Sequence, residues 1–455
     1  MTRQNEMKKA TTTIAGTGEP DNSPTPQLTT AQGVLALSPM IVFLLLYVAV
    51  SAAIGDFYRI PISVALLAAS MWAILIYRGR PLKERIETFS SAAAKSEILY
   101  MIWIFVLAGA FASVAKEIGA VDATVSLTLR VFPPAYIVPT LFVASCFISF
   151  SIGTSVGTVV ALTPLASELA ATGGGNVPFF VAAVLGGAFF GDNLSFISDT
   201  TIAATRSQGC RMQDKFKVNL WLALPAALAT LCGYILMTRG EPDMPRPEAA
   251  SAWLMLPYLV VIATALCGVN VALVLTAGIG SAVIVGFCHG TGVLDMAGYM
   301  GAGIDSMGEL IIITLLASGM LGVIKACGGI DFILRLLTKR ISGLRGAQAI
   351  VALLVSLVNL CTANNTVAII TVGSLSRSIS KKFGIDPRKS ASLLDSASCV
   401  VQCLIPYGAQ TLLATSLAGI SPAAPFPYLY YPWALALTLA LSIVFLFPRR
   451  YSRRG

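Results

Sequence analysis

Residues 191 to 201 read Gly191-Asp192-Asn193-Leu194-Ser195-Phe196-Ile197-Ser198-Asp199-Thr200-Thr201 and follow an apolar stretch that begins near Val177. Two carboxylates and five other hydrogen-bonding side chains fall within ten residues of a chain otherwise poor in charge. A charge at the centre of a bilayer costs at least about 2.5 to 3.5 kcal/mol. If the surrounding apolar residues span a membrane, Asp192 and Asp199 must therefore face a cavity, a bound cation or a partner. On a continuous helix their spacing would put both on one face, about 10 Å apart.

The surroundings do read as membrane. Of the 455 residues 56% are hydrophobic and only 12% charged, against about 25% charged in an ordinary soluble domain. Apolar runs of about 18 residues recur, each long enough to cross the hydrocarbon layer as a helix, so the expected fold is an all-α polytopic membrane protein. The net charge of +9 does not point to nucleic acid, because Lys and Arg collect in short segments between apolar runs, as in loops facing a cytoplasm. The nine Cys residues lie mostly inside apolar runs without regular spacing and read as small core residues. Residues 1 to 33 are polar and rich in Thr, Pro, Gly and Asn, which suggests a disordered cytoplasmic tail.

Candidate spans lie near 34 to 53, 60 to 77, 97 to 115, 218 to 237, 253 to 269, 271 to 288, 309 to 325 and 428 to 447, with two longer broken regions at 135 to 205 and 347 to 418. Basic clusters mark the inner face at Arg78 to Arg85, at Arg206, Arg211, Lys215 and Lys217, at Arg335 to Arg345, at Arg377 to Lys389 and at Arg449 to Arg454. The segments 289 to 308 and 419 to 427 carry no Lys or Arg and are expected outside. Because 347 to 376 is flanked by inner clusters on both sides, it must cross an even number of times, as a re-entrant hairpin broken near Asn359 to Thr366. The same reasoning makes 135 to 171 a hairpin from outside, broken at Gly153 to Gly157, followed by one crossing over 177 to 205. The chain then divides into a first repeat (34 to 237), a second inverted repeat (253 to 447) and a basic cytoplasmic end (448 to 455), with about ten transmembrane helices and two re-entrant hairpins.

Polar residues concentrate at the breaks. The first hairpin carries Ser149, Ser151, Gly153, Thr154, Ser155, Gly157 and Thr158; the second carries Asn359, Thr362, Asn364, Asn365 and Thr366. Asp395, Ser396, Ser398, Gln402 and the break Pro406-Tyr407-Gly408-Ala409-Gln410 follow in the order of the first-half elements. Helix breaks free backbone carbonyls and amides, and with carboxylates and hydroxyls they offer the oxygen ligands that hard cations prefer. The expected ion or substrate site comprises Asp192, Asn193, Ser195, Ser198, Asp199, Thr200, Thr154, Ser155, Asn364, Asn365, Thr366, Asp395, Gln402 and Tyr407. Asp192, Asp199 and Asp395 are expected to bind a transported Na+. Competition between cation and proton for these carboxylates suffices for exchange, provided they titrate near cytoplasmic pH. Asp295, Asp305, Asp331 and the single His289 read as boundary residues.

The first-half motif, Gly191 to Ser195 with Ser198-Asp199-Thr200-Thr201, preceded by Gly153-Thr154-Ser155-Val156-Gly157-Thr158, resembles the NhaC-type sodium/proton antiporter family of the ion transporter superfamily over roughly residues 35 to 447. Asn364-Asn365-Thr366 and Pro406-Tyr407-Gly408 are compatible with it. Asn193 stands where that family commonly has Lys, and Phe196 where it has Pro. A cation-coupled transporter follows from the residues; Na+/H+ exchange by alternating access, in a cell membrane with both termini cytoplasmic, is what the resemblance implies. The alternative is Na+- or H+-coupled transport of a small carboxylate or amino acid. The basic residues, Lys215 among them, are placed almost wholly at boundaries, leaving no intramembrane cation to hold a carboxylate, which favours the first reading. No nucleophile and base pair, metal-ligand cluster or nucleotide motif occurs in the sequence, so neither an enzyme nor a cofactor is expected. The expected partners are membrane lipid, Na+ and H+, not nucleic acid, with a homodimer left open.

Overall fold

Apolar composition and helix-breaking punctuation produce a chain of helices and nothing else among the described residues, which in the computed structural model are 29–49, 61–131, 133, 136–173, 175–196, 198–238, 251–338 and 341–452. The expected tail and the outer end of the first span lie largely outside these residues. Helix α1 (Thr30–Leu44) starts four residues before the expected boundary at 34, fixed by a capping box in which Thr29 and Gln32 satisfy each other's backbone amides. There follow α2 (Ile62–Ile76), α3 (Leu82–Ala93), α4 (Ser96–Glu117), α5 (Ala120–Val131), α6 (Ile137–Ile152), α7 (Ser155–Thr172), α8 (Val177–Leu194), α9 (Asp199–Gln208) and α10 (Met212–Met237). The second half contains α11 (Leu256–Leu266), α12 (Val271–Cys288), α13 (Val293–Ser306), α14 (Gly308–Ala326), α15 (Gly329–Thr338), α16 (Gly343–Thr362), α17 (Asn365–Phe383), α18 (Pro387–Leu404), α19 (Ala409–Leu417) and α20 (Tyr430–Val444), and a short α21 (Arg449–Ser452) ends the described chain.

Elements recur ten places later, and so do their contacts. The α3–α14 packing is matched by α13–α4, α2–α14 by α12–α4, α6–α8 by α16–α18, and α9–α17 by α19–α7, while α10 meets its own counterpart α20. The two hairpin tips have the same backbone. Gly153 (φ 76) precedes the extended Thr154, and Ala363 (φ 48) precedes the extended Asn364, with their amides donating to Ser149 O and Asn359 O at 2.8 Å in each case. The breaks are thus two residues long, narrower than the sequence suggests, and Gly157 is helical.

Among the described residues nine helical stretches are long and apolar enough to cross a membrane, and four shorter apolar helices accompany them. The protein is a multi-pass membrane protein. Two expectations change. The segment 289 to 308, expected outside and assigned no span, contains α13, whose Gly303 crosses Gly109 of α4 so closely that a Cβ on either would strike the other's carbonyl. Lys215 and Lys389, assigned to inner surface clusters, are buried, at 1% and 0% exposure. Lys389 donates to the Ser442 hydroxyl and, at 2.9 Å, to Phe447 O beyond the end of α20.

Candidate functional site

The position of Asp192 is set by how α8 meets α6. Gly187 and Gly191 lie one turn apart on α8, and a Cβ at either would run into Phe142, Ser145, Ser149 or the Phe150 backbone of α6. With no side chain there, the backbones touch, and α6 closes the gap through Ser145 and Ser149. Their hydroxyls donate to Val184 O at 2.6 Å and Ala188 O at 2.5 Å. The second half repeats the second of these bonds with Asn359 Nδ2 donating to Ser398 O at 2.9 Å. Asp192 is thereby carried to the last turn of α8, next to the tip formed by Gly153 and Thr154.

Asp192 is 5% exposed and receives three donors. Ser198, in the break after α8, donates to Oδ1; Ser155 donates to Oδ2 at 3.1 Å; and Asn365 Nδ2 stands 3.5 Å from Oδ2. Ser155 and Asn365 occupy equivalent positions in the two tips, so both hairpins converge on one carboxylate. The chain of donors extends into the second half: Gln410 Nε2 donates to Ser155 Oγ at 3.1 Å, and Gln402 Nε2 donates to Gln410 Oε1 and to Ala363 O, both at 3.0 Å. Gln402 stands where the repeat would place a second Asp192, since the tips (Gly153, Ala363), the helix starts (Val177, Pro387) and the helix ends (Leu194, Leu404) recur at one constant offset. The acids of the two halves therefore do not occupy matching repeat positions, contrary to the sequence reading.

A cavity of about 500 Å³ opens onto Asp192 and is lined by Thr154, Ser155, Asp199, Thr200, Asn364, Asn365, Thr366, Gln410 and, further out, Glu97, Tyr100 and Asn270. It collects the first turns of α7, α9, α17 and α19. Helix amides point from such turns and carry partial positive charge, those of Thr366 and Val367 being capped by Asn365 Oδ1 at 3.1 Å and Asn364 Oδ1 at 3.0 Å. The expected residues Thr154, Asn364 and Thr366 thus line this cavity, Thr200 shares a 2.8 Å hydroxyl contact with Ser198, and Ser195 is buried in the break with its carbonyl accepting from Thr201 at 2.8 Å.

Three expected residues are not gathered around Asp192. The helix breaks between Asp192 and Asp199, so the two do not share a face; Asp199 begins α9 and is exposed at the cavity wall. Tyr407 is buried outside the main cavity and donates to Leu360 O at 2.7 Å. Asp395 is buried behind the break and paired with Lys215, Nζ to Oδ2 2.7 Å. No cluster of three or more His, Cys, Asp or Glu side chains suited to a metal occurs among the described residues; Asp395 is held by Lys215 and Asp199 stands at the cavity wall.

Lys215 is the buried, paired residue beside the site that sequence reading missed. From α10 its ammonium also donates to Asn193 O at 2.8 Å and Thr201 Oγ1 at 2.6 Å. One turn further along α10, Asn219 Nδ2 reaches Asn193 O (2.9 Å), Asn193 Oδ1 (3.1 Å) and Asp395 Oδ2 (2.8 Å). Asn193 Nδ2 in turn contacts Ser396 Oγ at 3.3 Å. The signal was present: Lys215, Val218, Asn219, Leu222 and Ala226 follow helical spacing on the buried face of α10.

A model of the Na+/H+ antiporter family matches residues 14–238 and 248–448. The Na(+)/H(+) antiporter NhaC of Alkalihalophilus pseudofirmus is 26% identical over 85% of this chain and 89% of that protein. The malate-2H(+)/Na(+)-lactate antiporter of Bacillus subtilis is 22% identical over 90% of this chain and 94% of its own length. The arginine/ornithine antiporter ArcD of Halobacterium salinarum is 23% identical over 66% of this chain and 70% of its own.

Proposed function

The chain belongs to the Na+/H+ antiporter family, and from that premise we propose that it exchanges Na+ for H+ at Asp192, by alternating access between two inverted repeats, with both termini in the cytoplasm. One observation carries the reading: a single buried carboxylate is gripped by both hairpin tips at the inner end of an open cavity. Its oxygens, with the hydroxyls of Ser155 and Ser198, supply hard ligands for a small cation. A proton on the same carboxylate removes the charge that holds that cation, so the two compete and are carried in turn. Asp199, exposed on the cavity wall, adds negative potential along the approach.

A second reading keeps the site and changes the cargo. The cavity gathers four helix N-termini, which favour an anion, and its volume suits a small organic solute better than a bare ion. The buried Lys215 also removes the argument that no intramembrane cation exists. On this reading Na+ or H+ drives a carboxylate or amino acid; one relative is a malate-2H(+)/Na(+)-lactate antiporter and another an arginine/ornithine antiporter.

Reconstitution separates the two. Liposomes holding a pH-sensitive dye and an imposed proton gradient should lose it on addition of Na+ or Li+ but not choline, and Asp192→Asn should abolish the response. If folded wild-type protein responds to no inorganic cation but does so when lactate, malate or an amino acid is added with Na+, the organic-solute reading replaces the first.

A further inference from the structure

We infer that the Lys215 ammonium is a tethered cation filling a second cation cage of this site, so that the protein carries one free cation where its oxygen atoms could hold two. The inference deepens the exchange reading and rests on it for the count of transported ions. An ammonium has three donors, and here all three are used, on a backbone carbonyl (Asn193 O), a hydroxyl (Thr201 Oγ1) and a carboxylate (Asp395 Oδ2), at 2.6 to 2.8 Å. That mixture of oxygens is what a hard metal cation recruits.

The cage is built rather than incidental. Asn193 O belongs to the last turn of α8, where the break leaves carbonyls without an intrahelical donor. Asn219 bridges two of the same oxygens, and its own Oδ1 is buried without a donor. Lys215 and Asp395 are 1% and 0% exposed. A buried ammonium needs an acceptor for each of its three protons; here the acceptors come from three different helices, so that the ammonium joins α8, α9, α10 and α18 at the point where the helix carrying Asp192 is broken. With the ammonium in place the second cage stays neutral and full, and Asp192 alone is left for the cargo.

The test removes the tether. In detergent, at constant ionic strength with choline replacing Na+, the thermal midpoint of wild-type protein should rise with Na+ with the dependence of one bound ion. In Lys215→Ala the emptied cage should take a free ion, so that the slope against log Na+ about doubles, and Lys215→Ala/Asp395→Asn should return it to the wild-type slope. Folded Lys215→Ala with an unchanged slope overturns the inference. If that variant does not fold, Lys215→Gln is read in the same way; failure of both to fold at any Na+ or Li+ concentration also overturns it, because a free cation should then refill the cage. Absence of a Na+ response in wild type would count against the exchange reading alone, since the difference between variant and wild type still decides the cage.

Discussion

Asp192 holds its place through donors that care about charge, so its substitution separates charge from shape. Asp192→Asn keeps the side-chain volume but turns one acceptor into a donor facing Ser155 or Ser198. The amide neither releases a proton nor offers the charge that holds a cation, so cation-dependent dissipation of a pH gradient should be abolished while the protein still purifies as a folded species. Asp199→Asn should stay within about fivefold, because that carboxylate is exposed and screened. The pH dependence follows from competition. Protons occupy the site as pH falls, so the apparent KM for Na+ should rise toward about tenfold per pH unit at the acidic limit, with the maximal rate at saturating Na+ much less affected; a KM independent of pH would remove the shared site. At this scale the sequence was legible where polar atoms crowd an apolar run: Asp192, Ser155, Ser198 and Asn365 were all nameable. Lys215 was not, because it stands among Arg206, Arg211 and Lys217, all exposed, and only its helical phase distinguishes it from them.

Among the helices, the two tips perform the same turn with different residues, which makes a matched pair of substitutions informative. A left-handed residue other than glycine costs about 1 to 2 kcal/mol, and Ala363 bears that cost at φ 48 where the first half uses Gly153. Ala363→Gly should therefore raise thermal stability, by up to about 1 kcal/mol after the added chain entropy of glycine, and Gly153→Ala should lower it by about 1 kcal/mol. Equal signs for the two in a detergent melting experiment would contradict the shared turn. The breaks themselves were readable from Gly, Ser, Thr and Asn density, but their length was not: Gly157 and Thr158 look like break residues and are held in α7 by packing, with Thr158 fully buried. The short helices α3 and α13 escaped sequence reading for a different reason. Neither offers a run of 18 apolar residues, and each earns its place by crossing a helix of the other repeat, a contact that no local pattern encodes.

For the whole molecule, the repeats predict two routes to the tips, and of the two corresponding cavities one reaches the tips and one does not. The open cavity begins beside Glu97 at the start of α4 and beside Asn270 and Val271 before and at the start of α12. The repeat places Glu309, Pro61 and Ile62 in the equivalent positions, and these line a separate cavity of about 290 Å³ that does not reach Asp192 or either tip. An aromatic stack stands between. Tyr47 lines that cavity and stacks on Phe43 at 6.2 Å, and Phe43 meets Tyr407 edge-on at 5.1 Å; Tyr407 itself lies beside Thr362, Ala363 and Asn364. On the proposed alternating access this second route is shut while the first is open, and three rings in series would close it without any ion pair that salt could weaken. Phe43→Ala should therefore join the routes. In liposomes without added Na+, an imposed pH gradient should decay several-fold faster than with wild type, and exchange should lose its tight coupling. Removing a buried Phe costs about 3 to 5 kcal/mol, so Phe43→Leu, which keeps most of the volume, serves as the folding control and should leak far less. A Phe43→Ala protein that folds, exchanges and holds the gradient as well as wild type would show that the stack is packing alone.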